Sequence, residues 1–466
     1  MTLNTNDHTI AAISTPAGRG ALGIVRVSGP NTIEILSSVI SFKKYKSIRD
    51  LPAQKIARAH FNKNGEIIDE VTLSLFYGPH SYTGEDLAEI YCHGSTAVLK
   101  EILSTLLEKG ARIPTPGEFT QRAFLNGKMD LAQAEAVAHL IHSKTDLSRR
   151  VALRQLEGEL SNKLLQMRSQ LIETLAHIEV HIDHSDDPTS GVAMSQKIVE
   201  EKLVKIIMEL ESLIESFKFG RMIQEGVRIA IVGKPNVGKS SLLNRLLKVD
   251  RAIVTEIPGT TRDTLEEGFD LFGLPALLVD TAGIREGAPD IVEKLGMERT
   301  QHCLENADVV LLILDQSIPL SKEDEKMARL TQQKEKVLIL LNKNDLPPKF
   351  SIQEMKTHFP GRPSLSISSL ENKGIEQVLE ELYKLTLGKE SESLPEVLIT
   401  SLRHKECLTA CKKSLEEAVK ISKAGAGEEV LALEIRSGCD ALGEIVGEVV
   451  TEDILSAIFS KFCIGK

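Results

Sequence analysis

The sequence predicts a multidomain chain of α/β and α class. An N-terminal α+β domain takes residues 1–125, a helical domain comes in two parts, 126–222 and 391–466, and a phosphate-loop α/β domain at 223–390 is inserted between them. Three observations lead there. Short β-branched runs separated by glycine-rich turns fill the first quarter of the chain. Two later blocks carry apolar residues spaced by threes and fours. Between those blocks stands a β-branched run followed by G-x-x-x-x-G-K-S and a helical stretch.

In the first quarter, Thr9–Ser14 and Gly23–Val27 read as strands either side of Pro16-Ala17-Gly18-Arg19-Gly20. Val71–Tyr77 and Leu87–Cys92 read as further strands, and Thr96–Leu107 as a helix. Pro114-Thr115-Pro116-Gly117 then punctuates the chain.

The period changes after about 126. Leu153, Leu156, Leu160, Leu164, Met167, Leu171, Leu175 and Ile178 mark one face of a single long amphipathic helix. Asp183–Ser195, with Pro188 and Gly191, breaks it, and Leu203, Ile206, Ile207, Leu210 and Ile214 start another. Past 394 the helical period returns, with Leu442, Ile445, Val446, Val449 and Val450 as one stripe. Each block has an apolar face that the other can bury, so the segment between them reads as an insertion.

That segment opens with the strand Val227–Val232, the loop Gly233-Lys234-Pro235-Asn236-Val237-Gly238-Lys239-Ser240, and a helix over Ser241–Leu247. Backbone N–H groups of such a loop converge on phosphates at a helix N-terminus that already favours anions. Lys239 is placed to reach the β- and γ-phosphates and Ser240 to ligate Mg²⁺. Leu277–Val279 is a strand ending in Asp280-Thr281-Ala282-Gly283, where the Asp supports Mg²⁺ and the Gly N–H senses the γ-phosphate. Val337–Leu341 ends in Asn342-Lys343-Asn344-Asp345. N-K-x-D resembles the guanine-reading motif of GTPases, in which the carboxylate accepts from two donor nitrogens that adenine does not offer. Ser368 and Ser369, after Leu365–Ile367, resemble the loop that backs the base, and Gly259–Asp263 supplies a switch threonine. Together these predict a Ras-like G domain that binds GTP with Mg²⁺. The position where Ras-type proteins carry a water-orienting Gln is Ile284, which cannot hydrogen-bond through its side chain. Arg285, Glu286, Asp290 and Glu293 are the nearby polar groups that could replace it.

The order G-K-P-N-V-G-K-S, I-P-G-T-T-R-D, D-T-A-G-I-R and N-K-N-D, with Ser81-Tyr82-Thr83-Gly84-Glu85-Asp86 and a closing Cys463-Ile464-Gly465-Lys466, resembles the MnmE (TrmE) family of tRNA-modification GTPases. The resemblance runs from Gly18 to Lys466. It implies that Asn236, Val237, Gly238, Lys239, Ser240 and Ser241 contact GTP. So do the segment Thr255, Glu256, Ile257, Pro258, Gly259, Thr260 and Thr261, the segment Asp280, Thr281, Ala282 and Gly283, and the base-side residues Asn342, Lys343, Asp345, Ser368 and Ser369. It implies Mg²⁺ on Ser240 and Thr261, and K⁺ on Asn236, Thr255, Ile257 and Thr260, where a monovalent cation offsets developing negative charge. Glu293 then positions the attacking water, with Lys239 and Cys463 as further catalytic groups. The N-terminal domain resembles the family's folate-binding domain, with Arg26, Glu89, Lys128 and Lys466 matching its binding positions for 5-formyl- or methylene-tetrahydrofolate. The activity implied is K⁺-stimulated GTP hydrolysis coupled to addition of a (carboxymethyl)aminomethyl-type group at C5 of wobble uridine 34. The partners implied are a second copy of the chain in a homodimer, the FAD-dependent MnmG in a heterotetramer, and tRNA. An Era- or Der-like ribosome-assembly or regulatory switch is the alternative that the G-domain motifs alone leave open.

Composition bounds these readings. With 56 Lys+Arg against 66 Asp+Glu, the net charge of −10 excludes a protein that coats nucleic acid by bulk charge. Lys144, Arg149, Arg150, Arg154, Lys163 and Arg168 locally outnumber the acids and predict a basic helix face for tRNA. His177, His181, His184, Asp186 and Asp187 have the outline of a metal site, but they fall where a helix ends in a polar turn and are not read as one. Six scattered cysteines, a polar Met1–His8 and the lack of any apolar run near roughly 20 residues point to a cytoplasmic chain without membrane spans.

Overall fold

The computed structural model describes residues 8–183, 196–249, 266–280, 303–387 and 397–466. The chain forms two compact units. The first holds 1–141, 154–203 and 413–466; the second holds 142–153 and 204–412.

Six antiparallel strands make the N-terminal sheet: β1 (Ile10–Ile13), β2 (Leu22–Ser28), β3 (Ile40–Phe42), β4 (Ile56–Lys63), β5 (Glu66–Phe76) and β6 (Leu87–His93), in the order β1-β2-β6-β5-β4-β3. The four runs expected as strands all lie in it. β3 is only three residues long, and β4 interleaves its apolar residues with Arg58, His60 and Asn62, so neither reads as a strand from the sequence. Alternation buries Ala57, Ala59 and Phe61 on one side of β4, with Val71, Leu73 and Leu75 of β5 in the same core. Helix α1 (Thr32–Ser37) closes one end, and α2 (Thr96–Glu108) lays Leu99, Ile102 and Leu106 on that core. Helices α3 (Glu118–Leu125) and α4 (Leu131–His142) follow.

The apolar stripe from Leu153 to Ile178 is not one helix. It is α5 (Asp146–Leu156) and α6 (Glu159–Asp183), separated at Gly158, whose φ of +89° no helix accommodates. The 3.6-residue period passes through the break, which is why periodicity alone missed it. The basic run Lys144–Arg168 is therefore divided between two helices. Arg149 and Arg150 pair with Asp146, Arg154 with Glu159 and Arg168 with Glu448, so four of these bases each sit beside a carboxylate.

Helix α7 (Gln196–Glu225) leads to the second sheet: β7 (Val227–Val232), β8 (Glu266–Leu271), β9 (Leu274–Asp280), β10 (Val309–Asp315), β11 (Val337–Asn342) and β12 (Ser364–Ser366). Its order is β12-β11-β10-β7-β9-β8, parallel throughout except for the β8–β9 hairpin at one edge. β10 and β11 are buried at every position, as parallel strands covered on both faces must be. Helices α8 (Lys239–Val249), α9 (Lys322–Thr331), α10 (Ile352–His358) and α11 (Ile375–Leu387) complete the layers around it.

Helices α12 (Leu402–Ala424), α13 (Glu428–Val446) and α14 (Glu452–Phe459) end the chain. α13 packs along α6, joining the helical blocks that flank the inserted domain in sequence. Arg168 donates to the Cys439 carbonyl, and Arg436 pairs with Glu179. The stripe expected to reach Val450 stops at Val446, where Gly447 turns left-handed, and Val449 and Val450 lie beyond the helix. Among the described residues no helix is long and apolar enough to cross a membrane.

Candidate functional site

In a parallel sheet, ligand loops gather at the carboxyl ends of the strands. Here β7 leads into the phosphate loop, β11 into Asn342–Asp345 and β12 into Ser368-Ser369. The phosphate loop turns through positive φ at Gly233 (155°), Asn236 (63°) and Gly238 (99°). Lys239 opens α8, and its ammonium donates to the carbonyls of Gly233 and Lys234, both at 2.8 Å. Ser240 and Ser241 are exposed in the first turn of α8, and Val237 is buried.

Asn342 holds two loops together. Its amide donates to the Val237 carbonyl at 2.7 Å, and its Oδ1 accepts from the Ser369 N–H at 3.0 Å and hydroxyl at 3.1 Å. Ser368 Oγ donates to Asp345 Oδ1 at 2.6 Å, fixing the carboxylate that faces guanine in the N-K-x-D reading. Lys343 takes a φ of +65° and pairs with Asp315 at 2.6 Å. Burial pushes the Asp315 carboxyl up, but hydrogen bonds from Lys343 and Ser317 outweigh it and hold the group below its ordinary value. Arg245 donates to the carbonyls of Ser369 and Leu370, bracing the base-side loop from α8. Asp280 ends β9 opposite Ile231 in the register.

Two groups of expected residues lie outside the described residues. These are Thr255, Glu256, Ile257, Pro258, Gly259, Thr260 and Thr261, and Thr281, Ala282, Gly283 and Glu293. His184, Asp186 and Asp187 lie outside them as well. His181 is paired with Glu428 at 2.6 Å, and among the described residues no cluster could hold a metal ion.

A second constellation sits in the N-terminal sheet. Arg26 on β2 and Glu89 on β6 are directly opposed in the register. The guanidinium donates to Glu89 Oε1 from Nη2 at 2.7 Å and from Nε at 3.2 Å. Tyr91 donates to Glu89 Oε2 at 2.6 Å; burial and that bond push its hydroxyl up to about 12. The Arg26 guanidinium also lies 5.5 Å from the Tyr82 ring centre and 5.7 Å from that of Phe119, within cation–π range.

Tyr82 belongs to Ser81–Asp86, a segment fastened throughout. Thr83 bonds Ser28 at 2.7 Å, Glu85 accepts from the fully buried Arg122, and Tyr82 bonds Thr120 at 2.9 Å. Arg122 also pairs with Glu118. Burial opposes ionisation of Glu118, but bonds from Arg112 and Arg122 prevail and hold it below its ordinary value.

The chain's last described residues complete this cluster. Ser14 donates to the Gly465 carbonyl at 3.1 Å. Gly465 adopts φ +102° so close to the Ile13 carbonyl that a Cβ would collide with it. Lys466 is half-buried beyond that turn. Burial and the Arg26 charge lower its pKa, while Glu89 and Cys463 oppose the shift. The structure thus brings Arg26, Glu89 and Lys466 together. Lys128 donates instead to the Pro79 carbonyl at 2.9 Å, and Cys463 is exposed. Sequence reading gave no role to Tyr82, Phe119, Tyr91 or Ser14, whose contacts are made between segments distant in the chain or across the sheet. It also missed Asp315, although that residue follows a six-residue apolar run of the kind that precedes each nucleotide loop.

A phosphate loop after the central strand of a parallel sheet, tied by Asn342 to a guanine-type loop, defines a P-loop GTPase. The family model described as "GTP-binding protein TrmE N-terminus" matches residues 9–128, and that described as "MnmE helical domain" matches 131–463. The chain belongs to the MnmE tRNA modification GTPase family. It is 44% identical over 462 residues to the tRNA modification GTPase MnmE of Alkaliphilus metalliredigens (strain QYMF), covering 99% of each chain. It is 41% identical over 466 residues to that of Geobacillus thermodenitrificans (strain NG80-2), covering 99% of this chain and 100% of the relative. Among solved structures, the G domain of the T. maritima FeoB iron transporter aligns with 28% identity and a TM-score of 0.27, over 34% of this chain and 98% of that one.

Proposed function

We propose that this GTPase couples K⁺-stimulated hydrolysis to tRNA modification, adding a (carboxymethyl)aminomethyl-type group at C5 of wobble uridine 34 in the cytoplasm. In this reading the phosphate-loop N–H groups and Lys239 bind the phosphates, and Asp345 reads guanine. Ser240 and Thr261 ligate Mg²⁺. Asn236, Thr255, Ile257 and Thr260 hold K⁺ against the phosphates, and Glu293 orients water in place of the missing Gln. Arg26 and Lys466 supply positive charge that favours an anionic tetrahydrofolate, while Glu89 accepts from the donors of its pterin ring. That cofactor would supply the one-carbon unit. Cys463, exposed and two residues before Gly465, lies on the same short segment. A homodimer through the N-terminal domain and the FAD-containing MnmG complete the assembly.

The observation that most supports this reading is the convergence of Arg26, Glu89 and Lys466, drawn from β2, β6 and the far end of the chain. A regulatory switch needs no such cluster in addition to its nucleotide loops. The test is mass spectrometry of wobble uridines from cells lacking the protein. The modified nucleosides should disappear, and unchanged nucleosides would refute the modification reading. GTP turnover compared in K⁺ and in Na⁺ tests the cation assignment, with equal rates in both salts counting against it.

A further inference from the structure

Lys234, the second residue of the phosphate loop, has no role in the nucleotide reading above, yet its side chain is largely buried and fully engaged. Its ammonium donates to Asp324 Oδ2 at 2.6 Å and to Ser321 Oγ at 3.3 Å. Asp324 is 2% exposed. The same Oδ2 accepts from the Ser321 N–H at 2.9 Å and hydroxyl at 2.7 Å, forming the capping box that starts α9. Meanwhile the Lys234 carbonyl accepts from the Lys239 ammonium at 2.8 Å. Moving Lys234 therefore moves the acceptor of the lysine that meets the phosphates.

Nine residues earlier, the same connection makes a second attachment. Asp315, at the end of β10, pairs with Lys343 of the base-side loop at 2.6 Å while its other oxygen accepts from the Ser317 N–H and hydroxyl. The next residue, Gln316, donates its N–H to the Asn342 carbonyl at 3.1 Å. Its side-chain oxygen accepts from Ser366 Oγ, also at 3.1 Å. One end of Asp315–Asp324 thus grips the loop that reads the base, and the other end grips the loop that reads phosphate.

We infer that the connection Asp315–Asp324 is a two-ended brace: Asp315 is the positioning residue for guanine through Lys343, and Asp324 is the positioning residue for the phosphates through Lys234. This rests on the nucleotide reading of the two loops and adds a segment that carries none of their motifs. Both pairs are buried enough for the loss of one partner to leave a charge poorly compensated. The two ends act on different parts of the ligand, so they separate in binding experiments. A general loosening of the domain would not separate them.

The experiment measures GDP and guanosine affinity on the full chain by competition against a fluorescent guanine nucleotide. Lys234→Met cuts the phosphate-side attachment and leaves the Ser321–Asp324 capping box intact. It should weaken GDP by about ten-fold, the size of one lost charged hydrogen bond, and leave guanosine unchanged. Lys234→Arg, which retains the ion pair, should restore GDP binding. Asp315→Asn should weaken guanosine and GDP by the same factor. Thermal unfolding of each variant, followed in parallel, reports whether the domain is intact. Equal loss of GDP and guanosine in Lys234→Met, or unchanged GDP binding, would overturn the brace. Failure of the unsubstituted chain to bind GDP would defeat the nucleotide reading, and the brace with it.

Discussion

The nucleotide loops and the Arg26–Glu89–Lys466 cluster place polar groups by opposite means. Around the nucleotide, most of the recognising atoms belong to contiguous loops: the turns at Gly233, Asn236 and Gly238, and the run Asn342–Asp345. Each loop is launched by its own buried strand, so the local sequence nearly specifies the local geometry. In the N-terminal sheet no such run exists. Arg26 meets Glu89 because β2 pairs with β6 in one register, and Lys466 joins them across most of the chain's length. A one-residue slip between β2 and β6 would abolish the second site and leave its sequence unchanged. Contiguous sites therefore tolerate much around them, whereas assembled sites depend on the whole fold.

Three experiments would break or sharpen this contrast. The largest effect is expected from Asp345→Asn. The amide presents a donor where guanine also presents donors, so GTP affinity should fall by about 100-fold or more, with thermal stability little changed. Nucleotide competition checks it, and a loss under about ten-fold would mean that Asp345 does not face the base.

The second experiment concerns pH. Lys466 has a folded pKa below the ordinary lysine value, caused first by burial and then by Arg26. Its cationic form is complete well below that lowered pKa and is lost as pH rises through it, earlier than for an exposed lysine. In the proposed folate reading, tetrahydrofolate affinity therefore declines on the alkaline side, by up to about ten-fold for one charge. Calorimetry across pH checks the slope. Lys466→Gln should flatten it, and a slope that survives this change belongs to another group.

The smallest effect is expected at the break between α5 and α6. Gly158→Ala must hold a left-handed φ, which costs about 1 kcal/mol and lowers the melting temperature by a few degrees. Neither the nucleotide loops nor the Arg26–Glu89–Lys466 cluster should respond.

The contrast also explains what could be read from the sequence. Strands β7, β9, β11 and β12, and the loops after β7, β11 and β12, are legible because apolar runs and loop motifs sit side by side. β10 was not used, although Val309–Asp315 is as apolar as its neighbours, because no recognised motif follows it. Arg26, Glu89 and Lys466 were reached through family resemblance, since an acid and two bases scattered along a chain carry no spacing signal. Tyr91 is reached by neither route, and Tyr82 only as part of Ser81–Asp86 with no role of its own: their value lies in a 2.6 Å bond to Glu89 and a ring near Arg26, both products of topology. The helix break at Gly158 was hidden for the opposite reason, because its flanks keep the same period.

The bond from Ser14 to Gly465 spans 451 positions of the chain. A ribosome adding about 5–20 residues per second releases β1 some 20–90 s before Gly465 exists. For that interval the N-terminal sheet can fold and the nucleotide loops can form, while the Arg26–Glu89 pair lacks its lysine. A translation product cut short after the inserted domain would keep its nucleotide loops but never acquire the third member of the cluster. Lys466 is thus the last member of the cluster to be synthesised, and the cluster can be complete only on a chain made as far as that residue.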